Sequence, residues 1–351
     1  MKKGITIGMD MGDKSHKAVV VGEDGREIER REVGNTAGEL GAFLGGYAGA
    51  TLAMETGTHC RWVFTLASGL GLRVLVANAR KTRIIWKSSR KNDWRDAGML
   101  AKLARTDPSL LSPVRLRCAD DQRLMRLAKS RDVLVRCRVA VINQVRGFCK
   151  AEGIRLRKCS TERFVTLKGD LPAEIADVSC RLFETLAHLN ERIAAYDGIL
   201  GKAVMRLRKE DAEAVMQVNG VGPVTAAVFL AAVGDARDFR KPRDVGAYLG
   251  LAPKQGQSGE SDPQLRITKE GNTMARKLLV TAANRILGPF GVDSDLRRHG
   301  LRIAERGGKN AKKRAKVAVA RKLAVTMLAL LRNRDAYRPL ANEAAATCVA
   351  T

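Results

Sequence analysis

A change of hydrophobic period near residue 94 constrains this chain more than any other feature. Upstream, apolar runs of strand length alternate with turn residues; downstream, apolar side chains recur every three or four positions, as on helix faces. Ile5–Met9 and Lys17–Val21 read as strands, the second ended by the turn residues Glu23, Asp24 and Gly25, and Arg26–Val33 reads as a third. A short helix over Ala37–Leu44 precedes a strand at Thr51–Met54. A helix from Arg61 to about Gly69 and a strand at Arg73–Ala77 follow. Three successive strands, then alternating helix and strand, predict a mixed sheet with helices packed on it.

Beyond residue 94 the pattern is helical and strongly charged to about residue 210. Leu124, Leu127, Leu134, Val141, Val145 and Phe148 share one face of a long helix, and Arg131 and Arg138 occupy its skipped positions. Two readings stand side by side: an amphipathic helix in an intramolecular bundle, or a coiled-coil arm for dimerisation with basic residues turned to nucleic acid. A third, mainly helical region begins near Asp211 and ends in the basic segment Gly307–Lys316 and a helix over Ala318–Leu331. The expected division is 1–115, 116–210 and 211–340.

Charge narrows the function. Lys and Arg number 63 against 37 Asp and Glu, a net charge of +26 over 351 residues. Such an excess points to a polyanion, because each phosphate neutralised releases condensed counterions. Aromatic residues make up only 4% of the chain, which argues against binding that rests mainly on stacked rings. The seven cysteines (Cys60, Cys118, Cys137, Cys149, Cys159, Cys180 and Cys348) are scattered and form no C-x-x-C pair. This speaks against a disulfide framework or structural zinc and for a reducing cytoplasm. The histidines have no ligand spacing, and no signal peptide or long uncharged apolar span is legible. The expectation is a cytoplasmic, nucleoid-associated protein with no membrane partner.

Four acids stand out against this basic background. Asp10 ends the first strand in Gly8-Met9-Asp10, Glu55 ends a later one in Met54-Glu55-Thr56-Gly57, and Asp93 and Asp96 lie where a helix begins, in Lys91-Asn92-Asp93-Trp94-Arg95-Asp96. Positions three apart share a helix face, so these last two carboxylates aim at one spot. Strand ends meeting a helix start would gather four oxygen donors, a set suited to Mg²⁺. Plainer roles stay open: Asp93 as an N-cap, Asp96 as a first-turn acid favoured by the helix dipole, Glu55 as a strand-end residue. Asp13 competes with Asp10, although its place past Gly12 reads as the turn itself.

In the third region, Met216 to Val233 reads as helix, a Gly220-Val221-Gly222 turn, and a second helix. This is a helix-hairpin-helix pattern whose glycines would let the backbone approach a phosphate. A plain αα-hairpin fits it too. Then comes a Gly-, Gln- and Ser-containing loop after Pro253, expected to be exposed and mobile, with Lys254 in it and Arg266, Lys269, Arg276 and Lys277 close behind. Ser258 is a candidate nucleophile with cations nearby, and Ser261 its rival.

Taken in order, Asp10 in Gly-Met-Asp, Glu55 in Met-Glu-Thr-Gly, Asp93 and Asp96 in Asp-Trp-Arg-Asp-Ala, and the segment from Tyr248 through Asn272 resemble the insertion-sequence-110 family of DEDD transposases, relatives of the Piv DNA invertases. The resemblance spans nearly the whole chain. It implies an RNase H-like (RuvC-like) α/β domain, a helical coiled-coil middle, and a mainly α C-terminal serine domain. It further implies that Asp10, Glu55, Asp93 and Asp96 hold Mg²⁺ and that Ser258, directly before Gly259, attaches to DNA. The partners it implies are donor and target double-stranded DNA, a noncoding bridge RNA, and other copies of the chain in a dimer or tetramer. Members commonly read Ser-Ser-Gly-Gly-Lys in the serine loop, whereas this chain reads Gln257-Ser258-Gly259-Glu260-Ser261. The expected activity is cleavage and rejoining of DNA by a transposase or recombinase. The alternatives are a Holliday-junction resolvase or invertase, the resolvase using the metal site and water alone, and a non-catalytic nucleic-acid-binding protein.

Overall fold

The computed structural model describes residues 4–79, 92–259, 261, 263 and 265–342; Lys91, Glu260 and Cys348 lie outside them. The chain divides into two compact units, Met1–Leu116 and Arg117–Thr351.

The first unit is built on a five-stranded sheet of order β3-β2-β1-β4-β5. β1 (Thr6–Met11), β2 (Ser15–Val21) and β3 (Glu27–Gly34) form an antiparallel meander, and β4 (Thr51–Glu55) and β5 (Arg73–Ala77) add in parallel beside β1. β1 runs two residues past the expected apolar stretch, because the pairs Asp10↔Lys17 and Met11↔His16 extend the ladder. Asp10 is therefore a strand residue rather than a strand end. α1 (Ala37–Gly45) and α2 (Cys60–Gly69) cover one face, burying Ile7, Met9, Val20, Leu52 and Met54 against Leu40, Leu44 and Val63. On the other face lies α3 (Asp93–Thr106), whose Ala97, Leu100, Ala101 and Ala104 bury Val19, Val21, Ala53 and Ala77.

α3 seats unusually close to β1. A Cβ placed on Gly8 would lie 1.9 Å from the Ala97 carbonyl oxygen and 2.5 Å from the Ala101 nitrogen. Only a residue without a side chain allows helix backbone to meet strand backbone there.

The second unit is helical. α4 (Ala119–Ala151) and α5 (Ala173–Leu207) run antiparallel: Arg131 bonds Asp197, and Arg138 donates to Asn190 Oδ1 and to Glu162 Oε1, each at 2.9 Å. The α4 seam of Leu124, Ala128, Arg138, Ile142, Val145 and Cys149 is thus buried within one chain. Arg131 and Arg138 serve this intramolecular pair instead of facing nucleic acid. The expected division at 210 does not coincide with a compact body. Leu124, Ala128, Leu200 and Val204 share one core with α6 (Lys209–Met216), α7 (Pro223–Val233), α9 (Thr273–Leu287) and α11 (Ala311–Asn333). α7 is the axis of that core, with Ala226 to Val233 all buried. The short α8 (Asp244–Tyr248) and α10 (Asp295–Glu305) complete it. Among the described residues no helix is long and apolar enough to cross a membrane.

Gly8→Ala should destabilise the first unit by about 3 kcal/mol, the upper end of the usual overpacking cost, because the new methyl meets backbone that cannot swing aside. Urea denaturation of the full chain measures this; a loss under about 1 kcal/mol would show that α3 slides freely on the sheet.

Candidate active site and nucleic-acid interface

The parallel register of β1 and β4 runs from Thr6↔Thr51 to Met9↔Met54, so the next step along each strand sets Asp10 beside Glu55. Side chains alternate across a strand, hence Asp10 shares the face of Gly8 and Glu55 that of Ala53, both packed on α3. The direction of α3 follows from its anchors. Arg105, near its C-terminus, donates to the carbonyl oxygens of Gly22 (3.2 Å) and Glu23, just past Val21, the partner of Thr6 at the start of β1. Ala97 and Ala101 cover Gly8 in the middle. The first turn of α3, with Asp93 and Asp96, therefore lies toward the Asp10 end. All four acids fall at one end and on one face of the sheet.

Asn92, not Asp93, caps this helix: its side-chain oxygen accepts from the Trp94 N–H at 3.0 Å. Asp93 and Asp96 are left at the positive end of the helix dipole, which favours their charge. Asp93 is exposed, while Asp10, Glu55 and Asp96 are partly buried. Lys17, the cross-strand partner of Asp10, carries its ammonium 2.5 Å from Glu32 and 5.2 Å from the centre of the Trp94 ring. The Lys17 hydrogen bond, then that from Ser15, holds the Glu32 carboxyl below its ordinary range. Among the described residues, no three His, Cys, Asp or Glu side chains close into a ready cage for a metal. The donor chemistry nonetheless fits a hard divalent cation: four carboxylates from two adjacent strands and one helix turn.

Sequence spacing misses a polar chain behind this corner. His16, 0% exposed on the α1/α2 face, places Nε2 3.0 Å from Asn35 Oδ1. Asn35 Nδ2 donates to the Asp13 carbonyl oxygen at 2.8 Å and lies 3.2 Å from His59 Nδ1, and His59 Nε2 lies 3.2 Å from Asp13 Oδ1. Asp13 is a turn residue engaged with His59. Burial pushes the His16 pKa below its ordinary value; the Asn35 bond opposes that shift and nearby His59 adds to it. A histidine at an inward-facing strand position was the one available signal.

The serine segment is a hairpin rather than a free loop. Thr268 N–H donates to the Ala252 carbonyl and Lys254 N–H to that of Arg266, each at 2.9 Å, and Pro253 bridges Ile267. At its tip Ser258 and Ser261 exchange backbone hydrogen bonds of 3.1 and 3.0 Å around Gly259, whose φ is +58°. Both serines are exposed. Lys254 and Arg266 face each other across the stem, a like-charge pairing that is unfavourable until an anion screens it. Lys269 is exposed, and Lys277 holds Asp132 at 2.7 Å.

Arg276 departs from its expected place among the nucleic-acid-facing cations. It is 9% exposed and donates to the carbonyls of Leu249 (2.9 Å) and Glu270 (2.6 Å), clamping the hairpin base. Gly220 has φ +93°, and Gly222 precedes α7 with no side-chain cap, so the exposed end of this buried helix presents free N–H groups. The first turn of α11 carries Lys312, Lys313 and Arg314, all exposed, and no acid.

Two family models match the chain. Residues 7–151 match the DEDD_Tnp_IS110 transposase model, and residues 212–290 match the model described as transposase IS116/IS110/IS902 family. The chain is a DNA transposase. It is 30% identical over 346 residues to the transposase for insertion sequence element IS1111A of Coxiella burnetii, covering 96% of this chain and 92% of the relative. Similarity to the transposase for IS1328 of Yersinia enterocolitica is 28% over 283 residues, 79% and 82% of the two chains. A shorter stretch of 121 residues is 30% identical to the pilin gene-inverting protein of Moraxella bovis, 34% of this chain and 36% of that one. The chain belongs to the IS110 family of insertion-sequence transposases.

Arg276→Ala should leave the buried Leu249 carbonyl and the part-buried Glu270 carbonyl short of a charged donor and cost about 2 kcal/mol, loosening the hairpin. Hydrogen exchange at the Lys254 and Thr268 amides should quicken before global unfolding; unchanged protection would detach Arg276 from the hairpin.

Proposed function

We propose that this transposase cuts and rejoins double-stranded DNA with two separate chemical groups, a carboxylate corner that holds Mg²⁺ and the hydroxyl of Ser258. The observation that supports the reading is that Asp10, Glu55 and the α3 turn bearing Asp93 and Asp96 lie toward one end of the sheet. Meander first, parallel strands second, is the sheet order that supports an RNase H-like domain. A divalent cation bound there would supply positive charge to a scissile phosphate and its departing oxygen.

The residues of the chain do the rest. Ser258 Oγ attacks the phosphorus, an Oγ–P bond forms, the P–O bond to the sugar breaks, and the proton lost by the serine ends on the departing sugar hydroxyl. The hydroxyl of the exchanged strand reverses the step, so the energy of the phosphodiester is conserved without a nucleotide cofactor. Lys254 and Arg266 on the hairpin stem, with Lys269 at its base, favour the anionic backbone beside Ser258. The Gly220–Gly222 turn and the α7 N-terminus make a sequence-independent backbone contact of helix-hairpin-helix type. We further read the protein as a homo-oligomer that works in the cytoplasm at the nucleoid, guided by a noncoding bridge RNA and acting on donor and target DNA.

Ser258→Ala should abolish a covalent protein–DNA adduct seen after denaturation, with little effect on folding because the side chain is exposed. Asp10→Ala and Asp96→Ala should also abolish it while DNA affinity stays close to wild type, since cations elsewhere supply the binding. Mass spectrometry of the nucleotide-linked peptide decides. Attachment at Ser261 would overturn the assignment to Ser258, and cleavage by Ser258→Ala with no adduct would favour the water-driven resolvase.

The guide is tested independently. The purified chain should carry one specific noncoding RNA from beside its own gene, and sequencing of the co-purifying nucleic acid checks this. A random sample of cellular RNA would remove the guide from the proposal and leave the chemistry intact.

A further inference from the structure

Between α9 and α10 the chain passes through Gly288-Pro289-Phe290-Gly291-Val292, and Phe290 stands there 89% exposed. The segment is held rigidly. The Arg297 guanidinium donates to the carbonyls of Ile286 and Gly288, both at 2.6 Å, and the Gly291 N–H donates to the Gly288 oxygen at 3.1 Å. A Cβ on Gly291 would lie 2.0 Å from the Ile286 oxygen, so the backbone is packed against the end of α9.

The surroundings identify the partner. Ile286, on whose carbonyl the loop is pinned, also packs on the α6–α7 turn: a Cβ on Gly220 would lie 3.2 Å from Ile286 Cγ1. The loop is therefore anchored on the same residue that packs against that turn. Exposed Arg285 lies in the last turn of α9, and the Arg297 guanidinium is bonded to the loop carbonyls. Of the nearby cations, Arg298 has its charge met, by Asp293 at 2.6 Å. Apolar company is sparse, with Val292 the one other exposed large apolar side chain of the loop. Two such residues fall far short of the apolar centre of a stable protein–protein interface. An exposed ring on a pinned loop, with Arg285 and Arg297 close by and the loop's anchor Ile286 packed on a turn suited to phosphates, has the form of the apolar wedges that enter a duplex between base steps.

We infer that Phe290 inserts between adjacent base pairs of double-stranded DNA, bending the duplex while the neighbouring cations and the Gly220–Gly222 turn hold its backbone. The wedge takes its adjoining phosphate contact from the helix-hairpin-helix reading above, and the test separates the two.

The experiment measures binding of the full chain to a fluorescein-labelled duplex of mixed sequence across a salt series. Phe290→Ala should weaken binding about tenfold, the usual loss when one stacked ring is removed. Its slope of log affinity against log salt should match wild type, because no charge is lost. Phe290→Trp should retain affinity, and its added fluorescence should be quenched and shielded from acrylamide by the duplex. Equal duplex affinity for Phe290→Ala overturns the wedge. So does a loss confined to single-stranded DNA or RNA, or a change of oligomeric state at unchanged duplex affinity, which would give the ring to a second copy. Gly222→Asp supplies the control: aspartate caps α7 without straining φ −97°, yet sets a negative charge where the phosphate would lie. If Gly222→Asp binds normally while Phe290→Ala does not, the turn reading fails and the wedge stands. The reverse result removes the wedge alone.

Discussion

The backbone contact between Gly8 and the Ala97–Ala101 turn is the constraint on which the first unit depends. Small residues line both sides of it: Ala53 and Ala77 on the sheet, Ala97, Ala101 and Ala104 on α3. Such close seating leaves the helix little freedom to rotate, so its first turn arrives at a defined place beside the strands. Arg105 fixes the far end against Gly22 and Glu23, and Asn92 closes the near end. Two carboxylates then come from adjacent parallel strands and two from the helix. None of the four is carried by a loop, an arrangement that suits the metal role proposed for them.

The helical unit shows how misleading a charge count is when arginines are structural. Arg208 donates to Asp121 at 2.9 Å, sits 2.6 Å from Asp211 and reaches the Gly234 carbonyl at 3.2 Å, while Arg334 approaches Asp211 from the other side at 2.7 Å. This cluster ties the start of α4, the α5–α6 junction and the end of α7 to one another. Arg131 and Arg138 register α4 against α5, and Arg276 and Arg297 hold loops through carbonyl oxygens. Buried ions of this kind add little net stability against an apolar core, but each accepts only one arrangement of its partners. Arginines that bond carbonyls rather than acids, such as Arg276 and Arg297, count toward the net charge of +26 while serving the fold.

The local order of the fold was legible in the sequence; the long-range pairings were not. Every strand and helix read from the first 77 residues is present within a few positions, because apolar period and turn residues are local signals. Glu55 stands at a strand end and Asp93 and Asp96 at a helix start, as local pattern suggests, while Asp10 lies inside β1. What escaped is what depends on register: that β1 continues to Met11, and that Asn92 is the residue that caps α3. The His16–Asn35–His59–Asp13 chain joins residues 19 to 46 positions apart, so no spacing rule betrays it. The two open readings of the α4 seam likewise needed α5 in view. Arginine on a hydrophobic seam is ambiguous until a partner such as Asp197 or Asn190 is seen.

The hairpin that carries Ser258 shows why strain and exposure can belong together. Its base turns through three left-handed residues, Gly250 (φ +68°), Lys269 (φ +58°) and Gly271 (φ +68°). Lysine adopts that conformation only at a cost, and a side chain on Gly271 would meet the Tyr248 oxygen at 2.0 Å. The buried Arg276 guanidinium offsets that cost by binding the carbonyls of Leu249 and Glu270 on both sides of the crossing. The stem that rises from it opposes Lys254 to Arg266, an arrangement with no folding benefit of its own. Stability is therefore concentrated at the base, where the backbone is fixed, and spent at the stem and tip, where charge and hydroxyl face outward. A side chain at the tip of such an arm is presented outward in a direction set by its root, a form that suits the role proposed for Ser258.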